Sequence, residues 1–150
     1  MQNIFLPETV AQLTERIAVL QPETKQLWGK MNAPQMLAHC NVAYEMAFEN
    51  IHPKPNILMR LLVQIFAKST VCGDKPYVKS QQTAPAFVIT GDKDFELEKS
   101  RLIGYLKKTA ELGEQHFNGK ESLSFGKLTS TEWNTMFYKH LNHHLTQFGV

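Results

Sequence analysis

Cysteine is scarce in this chain of 150 residues: there are two, Cys40 and Cys72, and neither has a CxxC neighbour. That is too few for a disulfide scaffold, and a reducing compartment fits best. An excess of charge of one sign is also lacking. Sixteen basic and fourteen acidic residues leave a formal charge of +2, and the only adjacent basic pair is Lys107-Lys108. Nucleic-acid binders carry a basic stripe, so no nucleic-acid partner is expected. No apolar stretch reaches membrane-spanning length, because the longest, around Ile57 to Ala67, is broken by Arg60 and Gln64. Met1 to Leu6 lacks the basic segment, apolar run and small-residue cleavage site of a signal peptide. Internal repeats and low-complexity segments are absent. The expectation is a soluble cytoplasmic protein with no membrane partner, folded as one domain over residues 1–150. That length supports one sizeable core and is short for two.

What the chain does have is histidine in a pattern. Three of its six histidines fall within five residues of the C-terminal stretch Tyr138-Lys139-His140-Leu141-Asn142-His143-His144-Leu145. In a helix each residue turns about 100°, so His140 and His144 lie only about 40° apart, one turn above the other. Trp133, Met136, Phe137, Leu141 and Phe148 fall on the same broad side, the side a surface helix turns inward. Buried imidazoles require partners for their nitrogens, and a divalent cation shared by two of them is one such partner. Hydrogen-bonded core histidines, favoured by the dipole at a helix C-terminus, are the alternative.

The remaining elements follow from periodicity and caps. Val10, Leu13, Ile17 and Leu20 make one stripe of a short N-terminal helix ended by Pro22. Asn32 with Pro34 and Gln35 announces a second helix running to about Asn50, with Met36, Val42, Ala43 and Met46 inward and His39 among them. Cys40 points elsewhere and reads as packing. The apolar run Ile57 to Phe66 predicts a third helix, buried on much of its circumference and ending near Gly73. A long loop from Cys72 to Asp92 pins Phe87 and Ile89 to the core, with a short strand as an option. Asp92 or Asp94 caps a fourth helix that Gly113 stops, and a second irregular segment, Glu114 to Leu128, carries His116. Thr129 and Glu132 form the capping box of the last helix.

Taken together, Trp28-Gly29-Lys30-Met31, Gln35-Met36-Leu37-Ala38-His39-Cys40, Asp94-Phe95-Glu96 through Leu102, Phe125-Gly126-Lys127-Leu128-Thr129 with Glu132-Trp133, and His140 through Gly149 resemble an uncharacterised bacterial branch of the DinB-like superfamily. The resemblance implies an all-α fold, a four-helix bundle of up-down-down-up topology, here with an additional short N-terminal helix and two long loops. It implies a divalent metal held by three histidines, one from the second helix and an HxxxH pair from the last, which are His39, His140 and His144 in this chain. A glutamine that often follows the pair has its counterpart in Gln147. Better known members transfer low-molecular-weight thiols or isomerise substrates with a thiol cofactor, and related bundles often pair as dimers.

Three imidazoles leave a coordination position open, the arrangement of a catalytic rather than a structural site. The first reading is therefore a metal-dependent enzyme that activates a thiol or water toward a small-molecule substrate, as a transferase or hydrolase. Zinc and nickel suit such ligands best, and iron and copper are also compatible. Tyr44, Glu45 and Tyr138 are candidates for proton handling. The second reading is a non-catalytic metal-binding or ligand-binding bundle, in which His143 or His116 closes a four-ligand site. The third is a plain helical domain with hydrogen-bonded core histidines. A homodimer through the apolar helix around Leu61 and Leu62 fits any of these.

Overall fold

Capping chemistry sets the ends of the long helices in the computed structural model, which describes residues 1–150. The helices are α1 (Pro7–Val19), α2 (Ala33–Phe48), α3 (Ile57–Phe66), α4 (Lys68–Cys72), α5 (Phe95–Phe117) and α6 (Ser130–Gln147). Asn32 and Gln35 close a reciprocal box at the start of α2: the Asn32 side chain accepts from the Gln35 amide at 2.9 Å, and Gln35 Oε1 accepts from the Asn32 amide at 3.1 Å. Thr129 and Glu132 do the same for α6, and Asp94 accepts from the Leu97 amide to start α5. Each box satisfies backbone donors that a helix N-terminus leaves unpaired. The class is all-α, apart from a hairpin of β1 (Glu121–Ser122) and β2 (Gly126–Lys127). No helix is long and apolar enough to cross a membrane.

The core lies between α1, α2, α5 and α6. Helix α2 packs on α5 and α6, and α1 packs on α5 and α6. The stripe Val10, Leu13 and Ile17 is buried as its spacing predicts, and Leu20, just past the helix, is buried with it. Thus α1 is a full member of the packing. Helix α2 is buried on nearly every side from Met36 to Glu45, which places His39 and Cys40 inside; Cys40 packs against Met36. An aromatic cluster joins the layers: Tyr44 stacks on Phe137 at 4.6 Å, Phe137 meets Trp133 at 5.2 Å, and Phe117 touches Phe5, Trp133 and Phe137.

Three expectations need correction. Helix α3 is not buried: none of its residues is, and its apolar side chains other than Val63 are exposed. Its polar face, with Arg60 and Gln64, turns toward the β hairpin, where Arg60 pairs with Glu121. Gly113 breaks the helix as expected, with φ 70° and ψ 174°, but the chain is not irregular from Glu114: beyond the kink a further helical turn runs to Phe117, whose ring is drawn into the aromatic core. That turn carries His116, which is therefore helical and exposed rather than on a loop. In the long connection between α4 and α5, Pro85–Phe87 forms a short 3-10 helix in place of a strand.

Leu106, fully buried on α5, and Leu97, 56% exposed on the same helix, provide a test of this core. Leu106→Ala is expected to cost about 2–5 kcal/mol and Leu97→Ala no more than about 0.5 kcal/mol in urea unfolding at neutral pH.

Candidate metal centre

Helical period and the packing of α2 on α6 bring three imidazoles to one point. His39 comes from the middle of α2, and His140 and His144 from successive turns of α6. Their candidate ligand nitrogens all lie within 4.8 Å of one another, and His39 Nε2 stands 3.0 Å from His140 Nε2. His39 and His144 are buried; His140 is partly exposed. Three histidines this close would allow a metal site.

Hydrogen bonds outside the cluster decide which nitrogen faces in. His39 Nδ1 lies 2.8 Å from the carbonyl oxygen of Phe87, an acceptor only, so Nδ1 carries the proton and Nε2 keeps a lone pair. His144 Nδ1 lies 2.8 Å from Gln147 Oε1. The Gln147 amide is oriented in turn, because its Nε2 donates to the Trp28 carbonyl at 2.7 Å. That orientation makes Oε1 an acceptor toward His144, again leaving the His144 Nε2 lone pair free. Gly29 permits the approach: it sits at φ +85°, and a Cβ there would fall 2.4 Å from Gln147 Nε2.

The electrostatics keep the rings neutral. Burial pushes the His39 imidazole pKa down, partly offset by the Phe87 carbonyl. Burial pushes His140 well below its usual value, reinforced by His144, His39 and His143. Burial, reinforced by His39, lowers His144 to about 3 despite its bond to Gln147. Neutral imidazoles at physiological pH are the form that ligates metals.

The other candidates fall elsewhere. His143 is half-buried and is not one of the three that converge; its ring stands edge-on to His144 at 5.1 Å and packs against Tyr77 at 5.6 Å and Trp28 at 5.8 Å. His116 pairs with Lys120 at the end of α5. Glu45 is held by Arg101 at 2.5 Å and His52 at 2.8 Å, and Tyr44 lies within the stack of Tyr105 and Phe137. Tyr138 is half-buried against the core. None of these three proton-handling candidates is brought to the histidines.

Two neighbours that the sequence reading missed come from the connection between α4 and α5. Phe87 supplies the carbonyl to His39 and sets its ring against His39 and His140, and Tyr77 sets its ring edge-on to His140 and His143. Lys139 anchors the start of that connection. Its buried ammonium donates to the carbonyls of Thr70, Gly73 and Lys75, completing the C-terminus of α4, and lies 4.6 Å over the Tyr77 ring. Only an aperiodic stretch marked this segment in the sequence, and nothing local tied Tyr77 to a histidine.

The depressed His144 pKa gives a signed pH dependence. Above the unfolded value of 6.5, folded and unfolded chains are both neutral at this residue and stability is full. Between 6.5 and about 3 the unfolded chain takes up a proton that folded His144 refuses, so stability falls as pH falls. Chelator-treated protein is expected to lose up to about 1.4 kcal/mol per pH unit from each imidazole held this way. His144→Gln should flatten the dependence of the urea midpoint on pH over that window, and an unchanged slope would show that His144 titrates normally.

Neither a curated protein nor a solved structure matches the chain. A family model does, over residues 7–149, which takes in all three histidines, Gln147 and the connection that carries Phe87. By that match the chain belongs to the family described as "Protein of unknown function (DUF1569)".

Proposed function

We propose that this protein is a metal-dependent enzyme in which His39, His140 and His144 hold one divalent ion, zinc or nickel by preference and iron as a further option. The proposed reaction class is activation of a thiol or water toward a small electrophilic substrate, as in a thiol transferase or a hydrolase. The observation that carries it is the pair of bonds from His39 Nδ1 to Phe87 and from His144 Nδ1 to Gln147, which leave two Nε2 lone pairs facing the same point. Outer partners of this kind are what metal-binding histidines use to fix tautomer and ring orientation. The donor set fits the ion in kind: three neutral nitrogens within 4.8 Å of one another, with no cysteine or carboxylate among them, which an ion with bonds of about 2.0–2.1 Å would draw somewhat closer. A bound ion would supply Lewis acidity, bringing water's pKa near 7 or holding a thiol as thiolate.

The chain's own residues complete the reading. Three converging nitrogens, with His143 outside the group although its ring lies edge-on to His144, favour an exchangeable position over a purely structural site. Phe87 and Tyr77 flank His140 with aromatic surface that limits water and suits a small organic substrate. The arrangement of α1, α2, α5 and α6 supports a DinB-like four-helix bundle. The links from α1 to α2 and from α5 to α6 are much shorter than the connection through α3 and α4 that joins α2 to α5, which suits an up-down-down-up order. Cys40 and Cys72 are both free and buried, in keeping with a cytoplasmic location.

Elemental analysis of untagged protein prepared without chelator tests the site. About one metal per chain is expected, lost in His39→Ala and His140→Ala, with affinity lowered about 10–100-fold in Gln147→Leu. A screen of the metallated protein with thiols and electrophiles should then give rates above those of His39→Ala. Absence of metal after reconstitution with zinc and nickel would overturn the proposal, leaving the histidines as core.

A further inference from the structure

The histidine cluster meets solvent on the side of His140. His39 and His144 are buried, whereas His140 is partly exposed, as are its neighbours His143 and Tyr77. Tyr77 stands edge-on to both rings, 6.4 Å from His140 and 5.6 Å from His143, and Trp28 packs on His143 at 5.8 Å. The wall on this side is aromatic, and it holds two donors that the chain leaves without acceptors. The Trp28 Nε1–H is buried, and no group of the chain accepts from it. The Lys79 ammonium lies 4.2 Å over the Trp28 ring and belongs to none of the ion pairs. It also faces His143, whose pKa is lowered by burial and then by the Lys79 charge. Lys79 is followed by Ser80 at φ 59°, the one residue other than glycine with a positive φ. Side chains with a Cβ rarely adopt that conformation, and where they do it is commonly at binding sites.

We infer that this wall is the recognition side of the metal centre and that its substrate is a small organic acid, with an apolar body against Tyr77 and Phe87 and an anionic group against Lys79 and the Trp28 N–H. The inference rests on the three-histidine metal centre and adds the class of substrate it serves. A buried N–H without an acceptor is unfavourable, and an oxygen of the ligand removes that penalty. An ammonium held over an indole and free of carboxylates favours an anion over a neutral molecule of the same shape. Lys139, the other cation at Tyr77, is occupied by the carbonyls of Thr70, Gly73 and Lys75, which leaves Lys79 to the ligand. Carboxylates and phosphate esters share the chemistry this pair of donors would recognise.

NMR titration of the zinc-loaded full chain with benzoate, phenyl phosphate and the neutral benzamide tests this. At least one of the anions should bind at least ~5-fold tighter than benzamide, an effect of the size of one charge-assisted hydrogen bond. It should also shift the indole N–H resonance of Trp28, assigned through Trp28→Phe. Lys79→Gln should lower affinity for that anion about 5-fold, with benzamide affinity and metal content unchanged, and Lys79→Arg should retain it. Lys79 is exposed, so folding is not at issue in these variants. Either ranking of the two anions supports the inference and says whether the acid is a carboxylate or a phosphate ester. Anion binding indifferent to Lys79→Gln would overturn it, since the metal alone would then hold the acid. So would equal affinity for benzamide and both anions, or an unmoved Trp28 resonance. Elemental analysis reads the metal separately. Were the protein to hold none, the same titration of the chain as isolated would still read the dependence on Lys79, so the two readings fail independently.

Discussion

Three imidazoles can share a largely apolar interior only if each has somewhere to place its proton. That constraint organises the centre of this fold. Desolvation makes a charged ring prohibitive there, and an unpaired buried N–H would be almost as unwelcome. The backbone carbonyl of Phe87 and the side-chain amide of Gln147 meet the requirement for His39 and His144, and both acceptors lie outside the cluster. The inner nitrogens are thereby left electron-rich and close together. For these two rings the chain stabilises the outer half and concentrates basicity in the inner half, and His140 Nε2, 3.0 Å from His39 Nε2, can place its proton on that lone pair.

The supports for those two acceptors reach most of the chain. Gln147 is oriented by Trp28, in the link between α1 and α2, and that link can come close only because Gly29 has no side chain and adopts a positive φ. Phe87 belongs to the long connection after α4. The beginning of that connection is fastened to α6 by Lys139, the neighbour of His140 in sequence. One turn of α6 therefore points His140 into the cluster while the adjacent residue holds the segment that brings Tyr77 and Phe87 over it. Segments far apart in sequence are coupled at the site through backbone carbonyls. Substitutions in the connection would then act on the imidazoles mainly where they move the main chain.

How much of this was legible in the sequence depended on how local the determining interaction was. The caps at Asn32, Asp94 and Thr129 are each settled within four residues; Asn32 and Thr129 stand where the local pattern puts them, and Asp94 is one of the two candidates it offered. His140 and His144 could be aligned because the helical period converts a spacing of four into a shared direction. His39 could be read as inward from its neighbours on α2, although its meeting with α6 depends on packing. The direction of α3 was not legible: apolar content says that a face must be covered, and only the fold says whether the cover comes from within the chain. The turn after Gly113 escaped for a similar reason: the glycine with positive φ breaks the helix as its sequence suggests, while the helical turn beyond the kink goes with the burial of Phe117 against Phe5 and Trp133, which no local pattern encodes. Phe87 was placed at the core by its hydrophobicity, while its role at His39 belongs to its carbonyl, which no side-chain pattern encodes.

The chain's two tryptophans stand in contrasting places. Trp133 is sealed in the aromatic core, with its indole N–H donating to the Lys120 carbonyl at 3.3 Å. Trp28 is half-exposed, with its ring against His143, the Lys79 ammonium 4.2 Å above it, and its own carbonyl bonded to the glutamine that steadies His144. The molecule thus carries two built-in optical probes of different meaning. By its place Trp133 is suited to report the integrity of the fold, and Trp28 to report events one hydrogen-bonded step from the imidazoles. Changes at the histidines are thus expected to be readable by light without any label.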